Sequence, residues 1–319
     1  MISLGGRTNY RAAGAPLPTR IRREADFRDV AHRSRLGAVT NSSIGGGSTM
    51  PSGYEPAFQL VLPYFGLFSY SIGRQSWLID SSKILLIRPG WEFADGQPVK
   101  GLGHSSLLLN PTRSIAEEIF GSRLFARREV SQFGPARSSP SIWLQTQYFL
   151  AQSHEGLTAL QADEWMIRVM DLTSDQPRID HRPSTRTVAR AKEFLHAHGF
   201  ERVPLERIAG AVGVSAVYLS NEFTRTEGIP LYQYQLYLRL VRSLQRLRDC
   251  DDITQLALEL GFSSHSHFSA TFRRTFGLSP SQYRLNIGSR RSVISATTLS
   301  RIDGILGTVG RSSPTVTVR

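Results

Sequence analysis

From Phe58 to Asn110 the apolar residues come in short runs, "FQLVLPYFGLFSYSIG", "SWLIDSSKILLIRPGWEF" and "SSLLLNP", separated by Gly, Pro, Asp and Asn. Runs of about five to seven residues rich in aromatic and β-branched side chains and bounded by turn formers predict strands, here of a β-sandwich or small barrel. After Pro111 the period lengthens. "TRSIAEEIFGSRLF", "SIWLQTQYFLAQ" and "LQADEWMIRVMDL" predict helices, and in the last Trp165, Met166, Val169 and Met170 recur at three- and four-residue spacing. That stripe either packs on the barrel or pairs with a second copy of the chain. "TSDQPRIDHRPS", residues 173–184, is polar, carries two prolines and predicts a linker.

Beyond the linker the pattern repeats itself. Ala209, Gly213, Leu219, Phe223 and Gly228 answer to Ala257, Gly261, Phe268, Phe272 and Gly277, and the two units close on "GIPLYQY" and "GLSPSQY". Each unit predicts a helical hairpin. Leu205, Ile208, Ala209 and Val212 give an i, i+3, i+4, i+7 stripe, Ala209 is small where a second helix crosses, and Gly213 permits a sharp turn. The second unit starts at Asp252, a helix cap, and runs through Ile253, Leu256, Ala257 and Leu260 to Gly261. Between the units "YQYQLYLRLVRSLQRLRD" predicts one continuous helix. The spacing from turn glycine to the next large apolar residue is one longer in the second unit, a difference that a turn absorbs and a helix interior does not.

Charge separates the same regions. Of the formal +12, residues 1–50 carry +5, 51–180 carry −2, 181–290 carry +6 and 291–319 carry +3. The repeat region therefore suits a polyanion such as nucleic acid, and the stretch before it does not. A connector of about 18 residues is roughly 27 Å long, which brings two second helices near the roughly 34 Å repeat of B-DNA. The single cysteine, Cys250, excludes an intramolecular disulfide and a thiolate metal cluster. No cofactor and no metal is expected, since His104 is the only histidine of the barrel stretch. Only three of the 38 basic residues are lysine, Lys83, Lys100 and Lys192. With no run of about 18 apolar residues and no signal-peptide centre, a cytoplasmic protein with no membrane segment is expected. Residues 1–50 and 286–319, rich in Gly, Ser and Arg, read as flexible tails that are either solvated or in weak contact with DNA phosphates.

Two stretches carry a resemblance: "LERIAGAVGVSAVYLSNEFTRTEG" with the connector "YLRLVRSLQRL", and "ITQLALELGFSSHSHFSATFRRTFGLSPSQYR", residues 253–284. Across 185–285 the chain resembles the DNA-binding domain of the AraC/XylS family of bacterial transcription regulators, and more loosely 55–110 resembles the cupin-like sensor barrel of that family. The resemblance implies an α+β chain of two domains. A flexible segment 1–50, a cupin-like sensor and dimerisation domain over 51–174, a linker over 175–184, an all-α domain of two helix-turn-helix units over 185–285 and a tail over 286–319 follow from it.

Carried over by position, the base-facing candidates are Ala216, Val217, Ser220 and Asn221 in the first unit and Ser264, His265, Ser266, Ser269 and Ala270 in the second. Family members often have Arg where Asn221 and Ala270 stand. Arg grips guanine with two hydrogen bonds, Asn does so for adenine, and Ala touches only a thymine methyl, so the operator is expected to differ. Arg225, Arg273, Arg274 and Arg284 are candidates for phosphate contacts, with a solvated charge as the alternative for each. His265 and His267 diverge on a helix and make a poor metal pair; His265 is expected at a base or phosphate and His267 partly packed.

In the barrel, Tyr64, Phe68, Tyr70, Trp77 and Trp91 either line a pocket for a small apolar effector or form its ordinary core. The reading is thus an effector-responsive activator, not an enzyme, with double-stranded DNA, a small-molecule effector, RNA polymerase and a second copy as partners. The rivals are a non-specific architectural DNA binder and an enzyme fused to a DNA-binding domain. The second needs reactive cysteines, which a lone Cys250 does not supply.

Overall fold

The computed structural model describes residues 26–48, 50–121, 134–174, 184–198 and 202–288. Ten strands and three helices precede seven further helices. The strands are β1 (Phe27–Ser34), β2 (Gly37–Ile44), β3 (Ser52–Tyr54), β4 (Gln59–Phe65), β5 (Phe68–Ile72), β6 (Gln75–Ile79), β7 (Lys83–Ile87), β8 (Glu92–Gly96), β9 (His104–Pro111) and β10 (Gly134–Arg137). They form two antiparallel sheets, a six-stranded one in the order β1-β2-β9-β4-β7-β10 and a four-stranded one in the order β3-β8-β5-β6. Among the described residues no helix is long and apolar enough to cross a membrane.

Side-chain parity explains how the large sheet serves two cores. Leu60, Leu62 and Tyr64 of β4 face α1 (Arg113–Phe120), α2 (Pro140–Glu155) and α3 (Ala159–Ser174), in one buried cluster with Ile142, Phe149, Trp165 and Met166. Val61, between them, faces the other way. It joins Leu85 and Leu108, its cross-strand neighbours, against Phe68, Tyr70, Trp77 and Ile79 of the small sheet. A strand buried on both faces reads as the continuous apolar run that β4, β7 and β9 display.

Two expectations change. Within the segment read as flexible, residues 1–50, β1 and β2 are strands of the large sheet. From Asn41 to Ser43 both faces of β2 are buried and polar, so apolar alternation does not reveal it. Hydrogen bonds make that burial affordable: Tyr64 Oη donates to Asn41 Oδ1 at 2.8 Å, and Ser43 Oγ shares a bond with Ser105 Oγ at 2.9 Å. The α3 stripe of Trp165, Met166, Val169 and Met170 is buried against the barrel, so it presents no face to a second copy. The linker read at 175–184 lies, but for Ser184, outside the described residues, as do residues 289–319.

The C-terminal domain is helical throughout: α4 (Arg186–Ala197), α5 (Leu205–Val212), α6 (Ala216–Glu227), α7 (Leu231–Arg246), α8 (Ile253–Glu259), α9 (His265–Phe276) and α10 (Pro280–Gly288). It is not separate from the barrel. Trp143, Tyr148 and Ala151 of α2 share one buried cluster with Leu240, Phe268, Phe272 and Tyr283. Trp143 Nε1 also donates to the Ser81 carbonyl at 2.6 Å, and Gln245 Nε2 donates to the carbonyl of Tyr64.

Candidate nucleic-acid interface

The two hairpins are built by the same local bonds. Gly213 and Gly261 adopt φ of +78° and +73°, a region where a side chain is strained, and the following amides, of Val214 and Phe262, donate to Ala209 and Ala257 at 3.1 and 3.0 Å. Ser215 then caps α6 by accepting from the Tyr218 amide at 3.2 Å, and Ser264 caps α9 by accepting from His267 at 3.1 Å. Both helices end on a left-handed glycine, Gly228 or Gly277, whose amide donates back at 2.8 Å. The extra residue of the second unit falls between Gly261 and Ser264, in the turn.

The buried sides are Leu219 and Phe223 in α6 and Phe268, Thr271, Phe272 and Phe276 in α9. Opposite them Val217 (71 % exposed) and Asn221 lie open with Ser220 half-buried beside them, while Ala216 is half-buried against the first unit's core. In α9 His265, Ser266 and Ala270 are exposed and Ser269 is half-buried, with Ser269 Oγ 3.4 Å from His265 Nε2. Ser264 spends its hydroxyl on the cap. His267 is exposed, yet its ring lies edge-on to Phe262 and its Nδ1 is 2.9 Å from Ser263 Oγ.

The four arginines differ in availability. Arg273 and Arg274 are exposed in the last turn of α9. Arg225 is forked onto Glu222 at 2.7 and 3.0 Å, and that guanidinium holds the Glu222 carboxyl below its ordinary range. Arg284 donates to the Cys250 carbonyl at 3.2 Å, tying α10 to the end of the connector.

Behind the first unit lies a charged cluster that sequence reasoning missed. Asp80 comes from the turn between β6 and β7 and Lys83 from the first position of β7; Lys192 and His196 come from α4, Glu227 from α6 and Tyr234 from α7. Lys192 Nζ sits 2.8 Å from Asp80 and 3.5 Å from Glu227, Lys83 Nζ 3.2 Å from Glu227, and Tyr234 Oη donates to Asp80 at 2.8 Å. His196 Nε2 lies 3.2 Å from Tyr234 Oη. Burial alone would raise the Asp80 pKa, but the Lys192 ammonium and His196 outweigh it and hold the carboxyl well below its ordinary range. Arg137 of β10 adds a bond to the Glu227 carbonyl at 2.9 Å. The first unit is thus pinned by charge and the second by the α2 aromatics.

A cavity of about 230 Å³ opens between the two sheets. Of the five residues named from sequence, Phe68 and Tyr70 line it; Tyr64 faces the helices, Trp91 packs on that same helical core, and Trp77 belongs to the core between the sheets. Of the polar residues of its lining, Arg28, Ser42, Glu55, Gln59, Asp95 and Ser106 went unread, and His104 was weighed only as a metal ligand. Burial, with Glu55 adding to it against Arg28, pushes the Asp95 carboxyl up to about 7, and burial with Arg28 pulls His104 down to about 4.

Asp95 yields a pH prediction. Its folded pKa of about 7 exceeds the unfolded value near 3.9, so its proton stabilises the fold fully below about pH 4 and this contribution is lost as pH rises through 7. Asp95→Asn, which cannot ionise, is expected to be more stable than the parent by on the order of 2 kcal/mol at pH 8 and equal to it at pH 4. His104 contributes with opposite sign in both proteins and cancels. Urea denaturation at the two pH values checks it; an advantage that is the same at both removes the carboxyl as the cause.

Comparison with known proteins finds likenesses over the C-terminal helices. Residues 208–286 match the family described as helix-turn-helix domain. The transcriptional activator RhaS of Escherichia fergusonii is 37 % identical over 92 residues, 28 % of this chain and 33 % of that protein. The regulatory protein PocR of Salmonella typhimurium is 31 % identical over 106 residues, 33 % of this chain and 35 % of its own. A solved transcriptional regulator with an AraC-type DNA-binding domain, from Chromobacterium violaceum, is 33 % identical over 34 % of this chain and 97 % of that one, with a TM-score of 0.32. The chain spans about a third of the length of the curated relatives it matches.

Proposed function

From the helix-turn-helix domain matched at residues 208–286, we propose that the protein is a sequence-specific DNA-binding transcription regulator whose two hairpins read successive major grooves. The carrying observation is the matched pair of α6 and α9, each anchored by buried apolar residues, with α9 turning a small, polar face outward and α6 a mixed one that includes Val217, Tyr218 and Asn221. Small side chains let a helix approach base edges, and the connector α7, at 16 residues, is about 24 Å long. Arg273 and Arg274 supply free charge for phosphates, which positions without specifying.

In this reading the barrel sets the geometry of the reader. Each hairpin is docked on the barrel domain through its own contacts, so a change in the barrel moves one recognition helix relative to the other. Leu85 and Ile87 line the cavity on β7, and Lys83 at the head of the same strand belongs to the charged cluster on the first hairpin. A small molecule in the cavity would therefore act on the docking through one continuous strand, favouring one of two arrangements. The RhaS name supports activation as the outcome.

Selection of bound sequences from a random DNA pool by the full-length protein, at fixed salt, tests this. A motif of two blocks about ten base pairs apart is expected. Asn221→Ala and His265→Ala are each expected to relax preference at one or two positions, by about 1–3 kcal/mol per lost two-bond contact for Asn221. A uniform loss across all sequences contradicts the base-facing assignment, and a small specificity ratio would favour the architectural reading.

A further inference from the structure

Four polar atoms on the wall of the inter-sheet cavity are buried without a hydrogen-bond partner: Tyr70 Oη, Asp95 Oδ1, His104 Nδ1 and Ser106 Oγ. The residues Tyr70, His104 and Ser106 are more than nine-tenths buried. Tyr70 and Asp95 come from the small sheet, His104 and Ser106 from the large one; buried polar groups are normally satisfied, so four around one cavity imply a ligand that satisfies them. Their chemistry narrows the choice. Beside a bound cation the Asp95 carboxyl is ionised and only accepts, a neutral imidazole accepts at one nitrogen, and both hydroxyls accept as well as donate, so the lining can take up several donors.

Charge narrows it again. Glu55 and Asp95 line the cavity with a single guanidinium, that of Arg28, so with both carboxyls ionised the lining is one positive charge short. Aromatic rings line the same cavity: Tyr70 stacks on Phe93 at 5.5 Å and Phe68 on His104 at 4.3 Å. An ammonium group brings three donors, no acceptor and the missing charge, and aromatic faces attract it further.

Resting on the reading of this cavity as an effector site, we propose that its ligand is a small organic cation, a primary amine whose ammonium is held beside Asp95 and whose body lies against Phe68, Tyr70 and Phe93. The apolar effector expected from the aromatic residues alone is replaced by one with a charged end. A carboxylate ligand would meet Glu55 and Asp95, and an uncharged polyol would leave the second carboxylate without a counterion.

Calorimetric titration of the full-length protein with tyramine, agmatine and putrescine, set beside 4-hydroxyphenylpropionate, 4-ethylphenol and xylitol, tests the proposal. At least one amine is expected to bind ten times or more tighter than each of the three uncharged or anionic compounds. Asp95→Asn, checked as folded by its melting curve, is expected to abolish that tenfold preference. Tighter binding of 4-hydroxyphenylpropionate or xylitol would overturn the cation and keep the small-molecule reading of the cavity. Binding of none of the six, with DNA affinity unchanged by all of them, would overturn both. An amine that binds equally well to Asp95→Asn would place its charge elsewhere and overturn the assignment.

Discussion

Lys192→Met is expected to destabilise the folded chain by about 3–5 kcal/mol, the cost of removing one partner from a buried ion cluster. Lys192 is 0 % exposed and its ammonium is the link between Asp80 of the barrel and Glu227 of the first hairpin. Methionine fills the volume, so the loss is electrostatic: two carboxylates remain buried with only Lys83 between them. The Asp80 pKa, held low by Lys192, would rise, so the variant is expected to lose most at neutral pH and to recover as the carboxylates protonate. Urea midpoints at pH 7 and pH 4.5 measure the difference. A variant as stable as the parent at pH 7 would mean that water reaches the cluster and solvates it.

The cluster's position carries a second consequence. Buried ion networks stabilise little compared with apolar packing, and their best-attested use is to specify one arrangement among several. This one joins residues 80 and 83 of the barrel to residues 192, 196, 227 and 234 of the reader. Loss of the link is therefore expected to uncouple the first hairpin from the barrel, so that calorimetry of Lys192→Met resolves two transitions where the parent shows one.

The hairpins were legible because everything that makes them is local. A 3.6-residue stripe, a small residue at the crossing and a glycine in the turn all fall within about 25 residues, and the structure places each of them as the spacing predicts, whereas the caps Ser215 and Ser264 went unread and Ser264 stood among the base-facing candidates. The barrel was legible only as strands. Period two tells that Leu60, Leu62 and Tyr64 share a face with one another and not with Val61, but nothing local tells which face meets the helices and which the cavity. Tyr64 was assigned to the pocket for that reason, and β2 was lost because its burial rests on Asn41 and Ser43 hydrogen bonds.

The charged cluster was written in composition rather than in any motif. In a chain of 35 arginines and three lysines, two of the lysines, Lys83 and Lys192, are buried at one site, while Lys100 is exposed. A compact ammonium fits between two carboxylates where a planar guanidinium needs a wider slot. The barrel residues of the cluster lie more than a hundred residues from their helical partners, so only the tertiary structure could join them.

Phe272→Ala is the second large effect, expected to cost about 3–5 kcal/mol. Phe272 is 0 % exposed, with Phe268, Phe276 and Tyr283 ring centroids at 5.6, 4.6 and 5.8 Å. The cavity left by its ring cannot close easily, since Trp143 and Tyr148 of α2 hold the far side of the same cluster. Ser266→Ala, on the outward face of the same helix, is expected to change stability by less than about 0.5 kcal/mol. The pair separates the two faces of α9: the phenylalanine variant should lose stability and with it the second block of the DNA motif, while the serine variant should keep its melting curve and alter binding alone. Unchanged melting of Phe272→Ala would mean that α9 is not held by its aromatic face, and the reading of its small polar face as the one turned to DNA would fall with it.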